Sequence, residues 1–182
     1  MLSIKPIESI YELTKLIANE LVVQSGLDES LVLNSLSVRG IELQRIIEER
    51  RLTSLTSNEA LLLFEISSDE IEVSLPELDN DIVQLVSSAE ISLICYGNYS
   101  MNVIQNIKAR FSTHEVIDKL QWLGIKVKGV DDSRTVNEFM NSSIVVRTDL
   151  SIHVQYVRNI EKITTEQNIK NIHEEGITIQ TT

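Results

Sequence analysis

The alternation of apolar and polar residues is clearest between Val145 and Tyr156. Leu150, Ile152 and Val154 fall on the same face as Tyr156, and the opposite face is polar: Asp149, Ser151, His153 and Gln155. Because successive side chains of a strand point to opposite faces of a sheet, this pattern predicts a long strand with one buried face. The polar face is expected to meet solvent or a neighbouring subunit.

One strand, two helices and a second, shorter strand are predicted before that strand. The first strand runs from Ile82 to Tyr96, and apolar positions three and four residues apart predict helix from Ser100 to Leu123. The run Ser112-Thr-His-Glu115 matches a capping box that would start the second helix, and Gly124 supplies a left-handed stop. The second strand is predicted at Ile125–Val130.

Weaker signals cover the first eighty residues. A helix is predicted at Pro6–Val23 and is closed by Gly26, and residues 27–57 are a candidate helical insertion that holds a short charged helix. Alternating positions then predict strands at Ala60–Ser67 and Ile71–Leu75, joined by a Ser-Ser-Asp turn.

The remaining segments are interpreted as a loop at Leu75–Asn80, a connector at Arg134–Asn141, and two short extended pieces within Asn159–Thr182. This order gives neither a regular βαβ alternation nor an all-β spacing. We therefore predict an α+β fold: a mixed, mainly antiparallel sheet with helices packed on one face and an N-terminal helix. A length of 182 residues with 42% apolar residues favours a single domain spanning residues 1–182.

Charge is distributed unevenly along the chain, whose formal net charge is −11. No Lys or Arg occurs between Arg51 and Lys108, and the acidic residues of this stretch are Glu59, Glu65, Asp69, Glu70, Glu72, Glu77, Asp79, Asp81 and Glu90. Binding to a nucleic-acid backbone requires clustered cations, so this stretch argues against DNA or RNA binding. It is either a solvated acidic face or a surface that meets a basic partner or lets DNA pass without sticking.

No arrangement of residues typical of catalysis or metal binding is recognisable. The three histidines are dispersed, and the HExxH, paired-cysteine, EF-hand, Gly-rich phosphate-loop and Gly-x-Ser-x-Gly motifs are missing. We therefore expect no enzyme activity, no metal and no cofactor. Asp69, Glu70 and Glu72 could hold Mg²⁺ or Ca²⁺, although a solvated turn explains them equally.

Two further residues carry expectations about burial. Cys95 lies inside an apolar strand and is expected to be a small buried hydrophobe. With a lone thiol, no secretion signal and no apolar run long enough for a membrane helix, the chain is expected to be cytosolic. Trp122 is expected in the core, and an anchor for a neighbouring subunit is the alternative.

The order of elements from Ile91–Tyr96 through the helix pair and Leu123-Gly-Ile125 to Arg147–Tyr156 resembles the neck and tail terminator proteins of tailed phages. In that family a strand feeds a helix, a Leu-Gly-Ile type break precedes a connector, and an arginine opens a long amphipathic strand that ends in an aromatic residue. A short extended tail similar to Glu166–Ile179 commonly follows. The resemblance covers roughly residues 60–180 and rests on a pattern of elements; residues 27–57 are longer than the connection expected there.

The resemblance implies a structural virion protein. Such proteins form a homo-hexameric ring that caps the tail tube and joins the tail to the head connector, so the implied partners are other copies of this chain, the tail tube protein and the head–tail connector protein. DNA would pass through without specific binding, and Glu70, Glu72, Asp79 and Asp81 would face the channel or a partner. Trp122, His153 and Gln155 are candidates for the subunit interface. The polar face of the long strand, with Asp149, Ser151, His153 and Gln155, would meet solvent, a neighbouring subunit or the DNA channel. The implied location is the neck or tail end of the virion, after synthesis in the bacterial host cytoplasm.

A different class of function is compatible with the same residues. A small cytosolic binding or regulatory domain could use the acidic stretch to dock a basic protein partner. An enzyme with an unrecognised site is a third hypothesis, which a pocket with converging perturbed carboxylates would support. Symmetry in solution separates the first two classes.

Overall fold

The computed structural model describes residues 6–7, 9–54, 57–74, 82–140 and 143–161, and all side chains in these ranges except those of residues 68–74, 82–84 and 159–161. The helices of this part are α1 Ile10–Ser25, α2 Ile41–Glu49, α3 Ser100–Phe111 and α4 His114–Trp122. The strands are β1 Val32–Asn34, β2 Leu61–Ser74, β3 Ile82–Tyr96, β4 Ile125–Val130, β5 Arg134–Met140 and β6 Ser143–Glu161. Short 3₁₀ turns at Glu29–Leu31 and Ser35–Ser37 flank β1.

The six described strands form one sheet in which β6 pairs with three other strands. The order is β1-β2-β3-β6-β4, and β5 lies beside the first half of β6 while β4 lies beside the second half. β1 and β2 are parallel, and every other pair is antiparallel. β3 and β6 pair from Ile82 opposite Glu161 to Tyr96 opposite Arg147. The predicted α+β class, with a mainly antiparallel sheet and an N-terminal helix, is confirmed.

The main core lies between one face of the sheet and helices α1, α3 and α4. Its sheet side is built from alternate residues of the central strands: Ala89, Ile91, Leu93, Cys95, Leu150, Ile152, Val154 and Tyr156. Leu13, Ile17 and Leu21 of α1 are four residues apart and pack as one buried stripe. The face of β6 that the alternation predicted to be buried is therefore the buried one.

The ends of α1 and α4 are set by local capping. The N-terminus of α1 begins after Ser9, whose Oγ accepts a hydrogen bond from the backbone N–H of Glu12 at 3.2 Å. Gly26 has φ 70° and ends this helix, and Gly124 has φ 82° just beyond α4. Both are in the left-handed region, so the two predicted glycine stops are confirmed.

A second, smaller hydrophobic cluster occupies the opposite face of the sheet. β2 directs Leu61 and Leu63 to it, whereas Leu62 between them faces the main core. Ile47 of α2 and Leu52 pack against this second face. Residues 27–57, expected to be a helical insertion, thus supply both β1, which extends the sheet, and α2, which covers part of its other side.

The turn predicted at Ser67-Ser-Asp69 is wrong, because β2 continues without a break to Ser74. The register between β2 and β3 shifts between Ser67 and Glu70 and again between Ile71 and Val73. Each shift places one extra residue in β2, which is a β-bulge. A bulge interrupts the alternation of apolar and polar residues. The sequence of one bulged strand can therefore resemble two shorter strands joined by a turn.

The connector predicted at Arg134–Asn141 is wrong as well. Arg134–Met140 is the strand β5, which pairs with β6 from Arg134 opposite Asp149 to Met140 opposite Ser143. The two apolar residues Phe139 and Met140 are adjacent, so β5 lacks the strict alternation that would have identified it. Its hydrogen-bonding partner, rather than its own pattern, makes it a strand.

The capping box predicted at the helix junction does not form. Thr113 is the N-cap residue of α4, and its side chain makes no capping hydrogen bond. Ser112 Oγ instead donates to the carbonyl oxygen of Lys108 at 2.9 Å, and Thr113 Oγ1 donates to that of Arg110 at 2.7 Å. The two hydroxyls satisfy carbonyls at the end of α3, which competes with their use at the start of α4. The predicted loop at Leu75–Asn80 and the extended pieces beyond residue 161 lie outside the described residues.

Candidate functional site

The face of the sheet opposite α1, α3 and α4 is polar along most of β6. Glu90 is the centre of a hydrogen-bond network on this face: its Oε1 accepts from Ser151 Oγ at 2.7 Å and from Ser92 Oγ at 3.4 Å. Ser67 Oγ donates to the backbone carbonyl oxygen of Glu90 at 3.4 Å. The network crosses β2, β3 and β6, and it fixes a carboxylate on a surface that α2 leaves open.

Arg147 forms an ion-pair cluster with two carboxylates on this face. Its Nε lies 2.7 Å from Asp149 Oδ1, and its Nη1 lies 3.2 Å from Glu138 Oε2. The hydrogen bond to Asp149, with a smaller contribution from Glu138, raises the pKa of the Arg147 guanidinium further above its usual range. The cluster joins β5 to β6 and holds a permanent positive charge between two carboxylates.

An open groove of about 300 Å³ lies beside this cluster. Its charged and hydroxyl lining residues are Ser92, Asp131, Asp132, Arg134, Arg147, Asp149 and Ser151. Small-molecule sites are usually enclosed and mostly apolar. This groove is open and lined by charges of both signs, so it lacks the enclosed, apolar character of such a site.

Tyr96 lies at the edge of this cluster, where burial raises the pKa of its phenol to about 12 and the carboxylate of Glu138 adds to the shift. The ordinary value is 10.0, so the unfolded chain loses this proton first as the pH rises. We therefore expect the free energy of unfolding to fall between pH 10 and 12, by about 1 kcal/mol per pH unit from this group. Denaturant unfolding at several pH values should show a shallower decline in Tyr96→Phe than in the wild type, and parallel curves would contradict the assignment.

His153 and Gln155, the two strand residues predicted at a subunit interface, lie on the polar face of β6. His153 Nε2 is 3.3 Å from Asp131 Oδ2, and the histidine side chain is 44% exposed. Gln155 is half-buried, opposite Ser88 of β3 and Lys126 of β4. The structure thus brings the two residues together on an accessible surface.

Trp122 lies elsewhere, and its expected place in the core is wrong. Its side chain is 71% exposed at the end of α4. The buried residues of this helix are Val116 and Leu120, and a position two residues after Leu120 is rotated by about 200° from it. The alternative, an anchor for a neighbouring subunit, stays a prediction.

An exposed apolar pair on the β5–β6 hairpin was missed by the sequence reasoning. Phe139 and Ile144 lie directly opposite each other, 73% and 54% exposed. Cross-strand pairs of this kind stabilise a hairpin, and exposed apolar side chains are also used in protein contacts. The signal was present in the aromatic and β-branched residues around position 140, but the interpretation of Arg134–Asn141 as a connector concealed it.

The four acidic residues singled out in the sequence are placed only in part. Glu70 and Glu72 belong to β2, where the structure describes their backbone but not their side chains. Asp79 and Asp81 fall outside the described residues. In the described part of the chain, no group of three or more His, Cys, Asp or Glu residues could hold a metal ion. None of the helices in that part has both the length and the hydrophobicity that a membrane crossing requires. Cys95 is buried, and burial raises the pKa of its thiol.

Exposed aromatic side chains such as Trp122 and Phe139 are of a kind that is enriched at contacts between proteins. A family model described as phage neck terminator protein matches residues 54–182, well over half of the chain. The chain belongs to this family, and it is a structural component of the phage neck. The predicted resemblance is thereby confirmed, and α1, β1 and α2 precede the matched region. No curated protein matches the sequence.

Proposed function

We propose that copies of this chain, six in number, form a closed ring that caps the completed tail tube and joins the tail to the head connector. Membership of the neck terminator family over residues 54–182 carries this proposal. The ring assembles in the host cytoplasm and becomes part of the virion. Its partners are other copies of the chain, the tail tube protein and the head–tail connector protein.

The exposed side chains support a role in assembly. Trp122 at the end of α4 and the pair of Phe139 and Ile144 on the β5–β6 hairpin are large apolar groups held in solvent. Aromatic residues of this kind commonly supply the central contacts of protein interfaces. We assign Trp122, together with His153 and Gln155, to contacts between subunits.

The acidic stretch fits a ring through which DNA travels. The sequence holds no cation between Arg51 and Lys108, so this stretch has no Lys or Arg with which to bind phosphates. Repulsion of DNA depends on the summed field of the ring rather than on single side chains. Glu70, Glu72, Asp79 and Asp81 can therefore contact a basic neighbour and still contribute to a channel that DNA does not stick to.

Polymerisation of tail tube protein in the presence of the purified chain tests the proposed function. We expect negative-stain images to show rings with a central hole, and tubes that stop growing with such a ring at one end. The mean tube length should fall as the protein is added. Tubes of unchanged length, together with a monomer at every protein concentration, would contradict the proposal. Binding of such a monomer to a basic protein would instead support the small binding domain.

A further inference from the structure

On both sides of the sheet, part of a strand edge lacks a strand partner among the described residues. β1 pairs with β2 only at Leu62, Leu63 and Phe64, while β2 continues to Ser74. The described sheet ends at β4 on the other side. An unpaired strand edge is a row of unused N–H and C=O groups, and it pairs readily with another chain unless something opposes this.

The two edge segments differ in the charged residues that their sequences contain. The part of β2 from Ile66 to Ser74 contains Asp69, Glu70 and Glu72 and no cation. β4 contains Lys126 and Lys128 and no carboxylate, and both lysines are exposed. Neither lysine forms an ion pair with any residue of the described chain.

An acidic β2 segment and a basic β4 favour some pairings between two copies and disfavour others. Two β2 edges repel each other, and so do two β4 edges, whereas a β4 edge and a β2 edge attract. A contact between two different patches is heterologous, and it generates a ring when its rotation closes. β5, the other strand on the β4 side, has one Arg and one Glu. Its charges cancel, so they favour neither an acidic nor a basic partner edge.

We propose that β4 of one copy pairs with the Ile66–Ser74 edge of the next copy, so that the sheets join head to tail around the ring. This inference rests on the proposed ring and specifies the surface that builds it. Both edges contain β-bulges, between Val127 and Gly129 in β4 and between Ser67 and Val73 in β2. Bulges and edge lysines oppose indiscriminate edge pairing, so a specific contact here depends on the opposite charges of the two edges, and the added twist curves the joined sheets.

Two charge-reversal variants and their mixture test the pairing. Lys126→Glu/Lys128→Glu makes both edges acidic, and Glu70→Lys/Glu72→Lys makes the β2 edge basic like β4. Each variant alone should therefore sediment mainly as a monomer. The mixture should re-form the wild-type particle, because every contact in an alternating ring then joins an acidic edge to a basic one.

Lys15→Glu/Arg110→Glu is the matched control, since it reverses two exposed cations on α1 and α3, away from either edge. It should assemble as the wild type does, and circular dichroism should show that all variants are folded. Rings formed by either edge variant alone, or a mixture that stays monomeric, would overturn the edge pairing and leave the ring proposal standing. A wild type that stays monomeric and also leaves the length of tail tubes unchanged would overturn both.

Discussion

Replacing Ile47 by Ala is expected to lower the free energy of unfolding by about 3 kcal/mol, since it removes a buried branched side chain and leaves a cavity. Ile47 is 2% exposed and belongs to the second hydrophobic cluster, against Leu61 and Leu63 of β2. The measurement is denaturant unfolding at one fixed protein concentration, because association would make the apparent stability depend on concentration.

Ile41→Ala is the matched control for Ile47, because the same substitution is made in the same helix. Ile41 is 84% exposed at the start of α2, so its loss should change the free energy of unfolding by less than about 0.5 kcal/mol. Equal and small effects of the two substitutions would show that α2 does not pack on the sheet. Equal and large effects would show that its other face is buried too.

Replacing Gly97 by Ala is expected to cost about 3 kcal/mol, because strain and a steric clash act together at this position. Gly97 has φ 112°, a backbone conformation that residues with a Cβ rarely adopt. An added Cβ would lie 2.7 Å from the backbone oxygen of Glu59, which cannot move aside as a flexible side chain would. The backbone N–H of Gly97 also donates to the carbonyl oxygen of Val146 at 2.9 Å, so a shift would weaken the link between the end of β3 and β6.

Gly129→Ala supplies the comparison for Gly97. Gly129 lies at the bulge of β4 without a positive φ, and an added Cβ would meet no atom within 4 Å. Its substitution should change the free energy of unfolding by less than about 0.5 kcal/mol. If both glycine variants unfold at the same denaturant concentration as the wild type, the positive φ of Gly97 and its close approach to Glu59 are not part of the folded state in solution.

Elements with a strong local pattern could be predicted from the sequence. Apolar and polar residues alternate without interruption from Leu150 to Tyr156. Gly26 and Gly124 end helices in the left-handed region, which glycine adopts without steric cost because it has no Cβ. Those features depend on neighbours in the chain. The structure accordingly confirms the central strand and the two helix ends.

Elements that depend on distant partners could not be predicted in this way. β5 is a strand because β6 lies beside it, and the bulges of β2 are defined only by their register with β3. Trp122 belongs to a short helix whose buried stripe is fixed by its packing on β4 and α3 rather than by its own composition. The same limit applies to the candidate site, because the groove beside Arg147 combines residues of β3, β5 and β6 that no sequence spacing brings together.

The position of β6 in the chain has a consequence for synthesis. β6 joins β3 on one side to β4 and β5 on the other, yet it is the last of the described strands to leave the ribosome. Until it emerges, β1 to β3 can pair as one unit, whereas β4 and β5, which each pair only with β6 among the described strands, have no strand partner, and the inner edge of β3 is unpaired. Pairing between residues far apart in sequence is slow, and unpaired edges promote aggregation. We therefore expect the yield of folded protein to depend on how soon the last strand reaches β3.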